Sequence, residues 1–421
     1  MKPKIFSTLP GYTAGLFAAD FTAGVTVAMV ALPLSLAIAV ASGAPPAAGL
    51  VTAVIAGFLI SLLGGSRVQI GGSTGAFIVV VFAVIAEHGY EGLVLATLMA
   101  GFLLLLAGLF RAGSLIAYVP EAVIDGFTIG IAIIIAVSQL KDFLGLDAAA
   151  MPADFIPKLF ALYEARETGD LAAAAIGAAT MLLIIGVRRV APASPGPIIA
   201  VGLTSAAVAV FDLPVATIAS TFGALPDALP APVLPEISVE RLAELLPAAI
   251  TIAFLAGVES LLSAIVADRM LPGAAHRPNA EVIAQGAANI GSALFGGLPA
   301  TGAIARTATN VRAGGRTPIA GMIHALALLA VMTTLAPLVG QLALPALAAI
   351  LIVTAWNMSE PHRWAEHVAA APPDKYLIVQ TLLLTVLIDL TVAIGVGVAV
   401  GLALQLKRRK TPPSDWTPRD R

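Results

Sequence analysis

Long unbroken apolar runs constrain this chain more than any other feature. "GIAIIIAVSQL" (Gly130 to Leu140) is one of many, and apolar and polar residues do not alternate through it. A closed barrel in a bilayer needs that alternation, so continuous runs leave a polytopic bundle of membrane-spanning helices. Hydrophobic residues make up 59% of the 421 and charged residues 11%, against about 45–50% and about 25% in soluble domains. So few charges cannot cover a soluble protein of this size. With no cysteine in the sequence, disulfides and thiolate metal sites are excluded. The N-terminus "MKPKIFSTLPGYTAGLFAAD" has no apolar core followed by a small-residue cleavage site. Residues 1–19 therefore read as a short cytoplasmic leader.

Apolar windows of about 20 residues mark spans. They fall at 20–42, 45–65, 75–87, 91–110, 122–140, 171–187, 195–211, 246–267, 281–296, 302–312, 317–338, 342–358, 375–388 and 390–406. Fourteen is even, so both termini share one side. That side holds Lys2, Lys4, Arg67, Arg111, Arg188, Arg189, Arg269, Arg277, Arg312, Arg316, Arg363, Lys375 and "KRRK" at 407–410. The opposite loops hold only Lys141, Lys158, Arg166 and Arg241. The positive-inside rule makes both termini cytoplasmic. The segments 141–170 and 212–240 then face outside, the second as a Pro-rich ordered loop with short strands.

The third and tenth spans are too short to cross alone, and each follows a Gly-rich piece. "SLLGGSRVQIGGSTGAF" (61–77) answers "ALFGGLPATGAIA" (293–305), with Thr74-Gly75-Ala76 matching Thr301-Gly302-Ala303. They open the third span of each set of seven. Seven is odd, so the second set is inserted upside down, and matched breaks in an inverted repeat point to a transporter's site. Gly64, Gly65, Gly71 and Gly72 let the backbone run extended. Two short helices then start near mid-membrane at Gly75 and Gly302, their N-termini facing each other. Free N–H groups and about half an elementary charge at each end suit an anion.

Charges inside spans cost about 2.5–3.5 kcal/mol on insertion scales. Arg306 lies one helical turn past Gly302 and adds a full positive charge behind the helix start. Glu259, in "AFLAGVESLLSAIVAD", lies in the eighth span, with Ser263 four residues on along the same face. Glu259 reads as the coupling carboxylate, taking a proton or pairing with Arg306; the plainer reading is a structural Glu259–Arg306 ion pair. His324 is a second intramembrane titratable group. Glu121 and Asp125 fit the cytoplasmic end of a helix, and Asp389 a tight outer turn. The histidines of "HRWAEH" (362–367) are five apart, wrong for one zinc-binding helical face. With no Walker motif, dinucleotide fingerprint or catalytic triad, the chain reads as no enzyme and needs no cofactor. An ion gradient or the substrate's own gradient is then the energy source.

Two stretches resemble a known family. "DFTAGVTVAMVALPLSLAIAVASGAPPAAGL" looks like the first span of the sulfate permease (SulP) anion transporters, bacterial relatives of pendrin and prestin. "AEVIAQGAANIGSALFGGLPATGAIARTATNVRAGGRTPIAG" looks like their ninth-to-eleventh-span signature. The resemblance implies an all-α membrane fold of 14 transmembrane segments in a seven-plus-seven inverted repeat. The transmembrane domain (20–406) divides into a core (20–111 and 246–338) and a gate (120–211 and 342–406), followed by a short cytoplasmic tail (407–421). It implies a homodimer in a bacterial inner membrane. The implied anion site is Leu34 and Ile38, then Thr74, Gly75 and Ala76, then Ala303, Ile304, Ala305 and Arg306, with Glu259 at the acidic position. Family members usually carry a cytoplasmic STAS domain after the last span, and 407–421 is too short to fold as one. Several animal members have serines where Ala303 and Ala305 stand, so backbone N–H groups and Arg306 must hold the anion here.

The expected function is secondary active transport of a small anion: a dicarboxylate such as fumarate or succinate, sulfate, or bicarbonate. Its expected partners are that anion, a proton or sodium as coupling ion, and the lipid bilayer, with no nucleic acid. Proton symport by alternating access leads. A nucleobase permease of the same fold and an anion channel are the alternatives.

Overall fold

The computed structural model describes residues 2–113, 120–148, 151–191, 194–271, 275–388 and 390–408, without the side chains of 390, 391 and 405–408. Asp389 and most of the 407–421 tail lie outside the described residues.

Helices α1 (Ile5–Thr8), α2 (Ala14–Ala41) and α3 (Pro46–Leu63) open the chain. A two-residue strand β1 (Gly71–Gly72) precedes α4 (Phe77–Leu109). Then come α5 (Glu121–Ser138), α6 (Leu140–Leu144), α7 (Phe155–Glu164), α8 (Leu171–Val190), α9 (Gly196–Val210) and α10 (Ile218–Phe222). Next are α11 (Val239–Met270), α12 (Pro278–Leu294), strand β2 (Thr301–Gly302) and α13 (Ile304–Arg312). The chain continues through α14 (Pro318–Gly340), α15 (Leu344–Met358), α16 (Trp364–Ala369), α17 (Pro372–Leu387) and α18 (Leu390–Arg408). Among the described residues, seven helices are long and apolar enough to cross a membrane, and two more are apolar but shorter.

Proline sets several of the starts. Pro46, Pro278, Pro318 and Pro372 stand in first turns, where the missing N–H costs nothing. Thr13 accepts the Leu16 N–H and starts α2 earlier than residue 20, so the helix includes part of the expected leader. The rest of that leader is docked. Lys4 donates its N–H to the Gly64 carbonyl at 2.9 Å, and Arg277 donates Nη1 to the Lys2 carbonyl at 2.7 Å.

α4 joins the expected third and fourth spans in one element, broken at Gly89 (φ 72°, ψ 178°). Those angles are open to glycine and strained for other residues. Thus α4 is a short piece ending before Gly89 and a longer piece after it. The segment 212–240 holds α10 and one isolated bridge, Thr217 to Ala343, in place of the expected strands. A groove of about 580 Å³ lies under its Pro-rich part, between Pro226–Glu236, Tyr90 and Phe295.

Two sets of helices pack. α2, α3 and α4 lie against α11, α12 and α14, while α5 and α8 lie against α15, and α5 also against α17. Small residues let backbones meet. A methyl on Gly286 would stand 2.8 Å from the Gly101 carbonyl, so no side chain separates α4 and α12 there. Arg363 reaches Glu121 and Glu360 at 2.9 Å and Asp125 at 3.4 Å. His367 lies 3.2 Å from Asp125.

Candidate functional site

The site is built on two interruptions in the helical backbone. In a bilayer an irregular backbone survives only where protein satisfies its polar groups. The first interruption, 64–76, meets the second, 296–303, as an antiparallel pair: Gly71 opposite Gly302 and Gly72 opposite Thr301. Ala303 adds an N–H bond to the Ile70 carbonyl at 2.8 Å. The matched glycine-rich pieces are therefore partners of each other. Sequence reading foresaw both breaks but not their pairing.

Side chains from the surrounding helices hold the rest. Glu281, sealed from solvent, accepts the Gly65 and Ser66 N–H groups on Oε2 at 2.9 and 3.1 Å. On Oε1 it accepts Ser260 Oγ and Gln285 Nε2 at 3.0 and 2.9 Å. Asn289 brackets Ala300, donating to its carbonyl and accepting its N–H, both at 2.9 Å. Ser292 donates to the Leu298 carbonyl at 2.7 Å, and Thr52 accepts the Leu298 N–H at 2.6 Å. Asn310 donates to the Val68 carbonyl at 2.8 Å. Asp20 does the same work at the start of α14, accepting from Arg316 N, Thr317 N, Thr317 Oγ1 and Tyr12 OH. These residues were not singled out in the sequence. Their signal was available: Glu281, Gln285 and Asn289 recur every four residues, a polar stripe on an otherwise apolar helix.

Beyond the strand pair, α4 starts at Phe77 and α13 at Ile304, each two residues past the expected Gly75 and Gly302. Neither start is capped by a side chain of its N-cap residue, Ala76 or Ala303. Two helix beginnings, with their outward N–H groups, thus stand on the ends of one small ladder.

The expected site residues separate into groups. Ile38, Gly75, Ala76 and Ala303 are buried, Leu34 and Thr74 partly so, and Ile304 and Ala305 are exposed. Arg306 points elsewhere. Two residues along a helix is about 200° of rotation, so Arg306 faces away from Ile304. It is 1% exposed, with Nη2 donating to Ser35 Oγ at 3.1 Å. Its Nη1 lies against Gly72, at a spot where a side chain on that residue would collide. Gly302 is likewise overlain by the Gln69 amide, which donates to Ser260. Each strand's glycine makes room for a polar side chain.

Glu259 accepts the Thr74 hydroxyl on Oε2 at 2.6 Å, linking α11 to the start of α4. The expected Glu259–Arg306 ion pair is not formed. The two project to different neighbours, Thr74 and Ser35, and each meets a hydroxyl in place of a charge. Ser263, four residues on, has a different partner. It is fully buried and shares a hydrogen bond with Thr307 at 3.1 Å, and Thr307 also accepts the Ile70 N–H. One turn along α11 has carried it from the carboxylate to the back of α13. His324 is fully buried with no hydrogen-bond partner on either ring nitrogen. Among the described residues no group of three or more His, Asp or Glu could hold a metal.

The profile of the Sulfate permease family matches residues 17–381. The chain belongs to the sulfate permease family. This permease is 43% identical over 382 residues to the putative sulfate transporter YvdB of Bacillus subtilis (strain 168), covering 90% of this chain and 72% of that one. It is 32% identical over 388 residues to the bicarbonate transporter BicA of Picosynechococcus sp., covering 88% of this chain and 67% of that one. Its fold matches the transmembrane domain of a cyanobacterial BicA with a TM-score of 0.78 at 29% identity, over 93% of this chain and 98% of that one. It matches SLC26A9 with a TM-score of 0.86 at 18% identity, over 96% of this chain and 68% of that one, a likeness of fold alone. The permease is a multi-pass membrane transporter.

Proposed function

We propose that this permease is a secondary active transporter that moves a small anion with a proton by alternating access. The anion is sulfate, bicarbonate or a dicarboxylate; the names of the relatives favour the first two. The observation that carries the reading is the ladder of Gly71–Gly72 with Thr301–Gly302, with an uncapped helix start beyond each strand and Arg306 buried behind it. An anion placed between Ala76 and Ala303 meets two sets of backbone N–H groups and the positive ends of α4 and α13. Arg306 acts through the backbone as a fixed field, not as a direct ligand. Leu34, Ile38 and Ile304 supply the apolar wall.

The architecture proposed is a seven-plus-seven inverted repeat of fourteen segments with both termini cytoplasmic, in a bacterial inner membrane and as a homodimer. The helices packed around the ladder (20–111 and 246–338) form the core, and the others (120–211 and 342–406) the gate. Gly75, where an added methyl would stand 3.0 Å from Met358 Sδ and 3.5 Å from Ile135 Cδ1, lies on the boundary between them.

Glu259 is the proposed proton site. It sits on the hydroxyl of Thr74, three residues before the α4 start. An arriving anion puts a like charge near the carboxylate, and a proton on Glu259 removes the repulsion. Anion and proton therefore favour each other's binding, and the coupling is reciprocal. The test is uptake of radiolabelled sulfate, bicarbonate and fumarate into proteoliposomes under an imposed pH gradient, with and without sodium. Accumulation driven by an inward proton gradient and indifferent to sodium supports symport; dependence on sodium overturns the proton assignment. Counterflow that saturates distinguishes a carrier from a channel.

A further inference from the structure

Behind the ladder the structure gathers four nitrogens that take no hydrogen bond. Two are Nε and Nη1 of Arg306, and two are the ring nitrogens of His324. Both side chains are sealed from solvent, at 1% and 0% exposure. Both flank the same strand. A methyl on Gly72 would strike Arg306 Nη1, while one on Gly57 would lie 3.2 Å from the Gly71 carbonyl and 3.7 Å from His324 Nδ1. The same methyl on Gly72 would lie 3.8 Å from Ala53 Cα, one turn of α3 before Gly57, so both side chains sit along that stretch of α3. Their chemistries fit, since guanidinium has only donors and a neutral imidazole has one acceptor. Buried polar groups of this kind are satisfied by each other or by a buried water.

We infer that His324 is a positioning residue, holding the Arg306 guanidinium against β1 through a hydrogen bond, direct or by way of a buried water. Ser35 fixes one end of the guanidinium, and His324 on α14 fixes the other. The fork is thereby kept flat behind Gly72, where its charge reaches the helix starts. His324 touches no anion. It sets where the positive charge stands, so it governs how tightly the anion binds more than how fast the carrier turns over. The inference rests on Arg306 supplying the field of the anion site.

The experiment is a double-mutant cycle in proteoliposomes, read as the half-saturating concentration and maximal rate for radiolabelled sulfate, bicarbonate and fumarate. His324→Leu keeps the volume and removes the acceptor. It is expected to raise the half-saturating concentration by about threefold to tenfold, the scale of one hydrogen bond to a charged group, with the maximal rate within about twofold. His324→Gln restores an acceptor and should recover most of that loss. Combined with Arg306→Ala (or Arg306→Lys, should alanine leave no measurable uptake), His324→Leu should cost nothing further. An equal cost in both backgrounds, or a fall in maximal rate alone, overturns the inference. If Arg306→Ala itself binds anion like the wild type, the helix ends hold the anion without Arg306, and the inference is overturned at that premise. Should His324→Leu not reach the membrane, His324→Ala runs the same cycle and the same outcomes decide.

Discussion

Thr74 donates its hydroxyl hydrogen to Glu259 Oε2 at 2.6 Å, joining residues 185 apart in sequence. The bond sets the partly buried Glu259 carboxylate of α11 beside the start of α4. Thr74→Val keeps the shape and removes the donor. A lost hydrogen bond to a charged group should lower the initial rate of anion uptake by roughly tenfold, while Thr74→Ser stays within about twofold. Initial rates in proteoliposomes at matched protein density check this.

Glu259→Gln removes the exchangeable proton and keeps the amide carbonyl as an acceptor for Thr74. Wild-type uptake should rise as external pH falls, and the Gln variant should exchange anion at a rate independent of pH, without accumulating it. A Gln variant that still concentrates anion under a proton gradient moves the proton site elsewhere.

Arg306→Ala should weaken anion uptake at least about tenfold, the equivalent of about 1.4 kcal/mol, in protein that still folds. The measurement is the half-saturating concentration together with the melting temperature in detergent. Unaltered uptake means the helix ends alone hold the anion.

Gly72→Ala and Gly302→Ala place a methyl on Arg306 Nη1 and on the Gln69 amide, and Gly72 also has φ 149°. Both variants should lose transport. Gly186→Ala is the control, since a methyl there meets nothing within 4 Å. A helical Gly-to-Ala change is favourable by about 1 kcal/mol, so its melting temperature should hold or rise.

Glu281→Leu strands the Gly65 and Ser66 N–H groups, Ser260 Oγ and the Gln285 amide in the protein interior. Each orphaned buried group costs about 1–3 kcal/mol, so the variant should fail to accumulate or melt far below the wild type. Glu281→Gln, which keeps an acceptor, should lie between. Fluorescence-detected size exclusion with a heating series reads both.

The long apolar helices were legible because lipid demands continuous apolar windows, and both breaks were legible because glycine and proline punctuate them. The start of α2 at Ala14 was missed although its first turn is apolar: Asp20 interrupts the apolar window there, and the groups that satisfy it, at the start of α14, are long-range contacts. Side-chain direction was the harder quantity. Spacing placed Arg306 one turn past Gly302, but whether it faced the anion or the back of the ladder depended on the strand pairing, a long-range contact. The same contact separates Glu259 from Arg306, and it carries Ser263 to Thr307. Glu281, Gln285 and Asn289 were visible as a polar stripe, but the loop they satisfy becomes apparent only once α12 lies beside residues 64–66 and 298–300.

The strand pair also fixes where this molecule can be compliant. Pulling β1 from β2 would strip backbone hydrogen bonds in surroundings that offer no water to replace them. That seam is stiff. A few residues on, the Met358 sulfur and an Ile135 methyl stand over Gly75, where an added methyl would meet them, and such apolar surfaces without direction can slide past one another at little cost. The stiff seam and the slippery one lie side by side, so under the proposed alternating access a cargo held at the helix starts would travel with the ladder, and relative motion would fall on the surface lined by Met358.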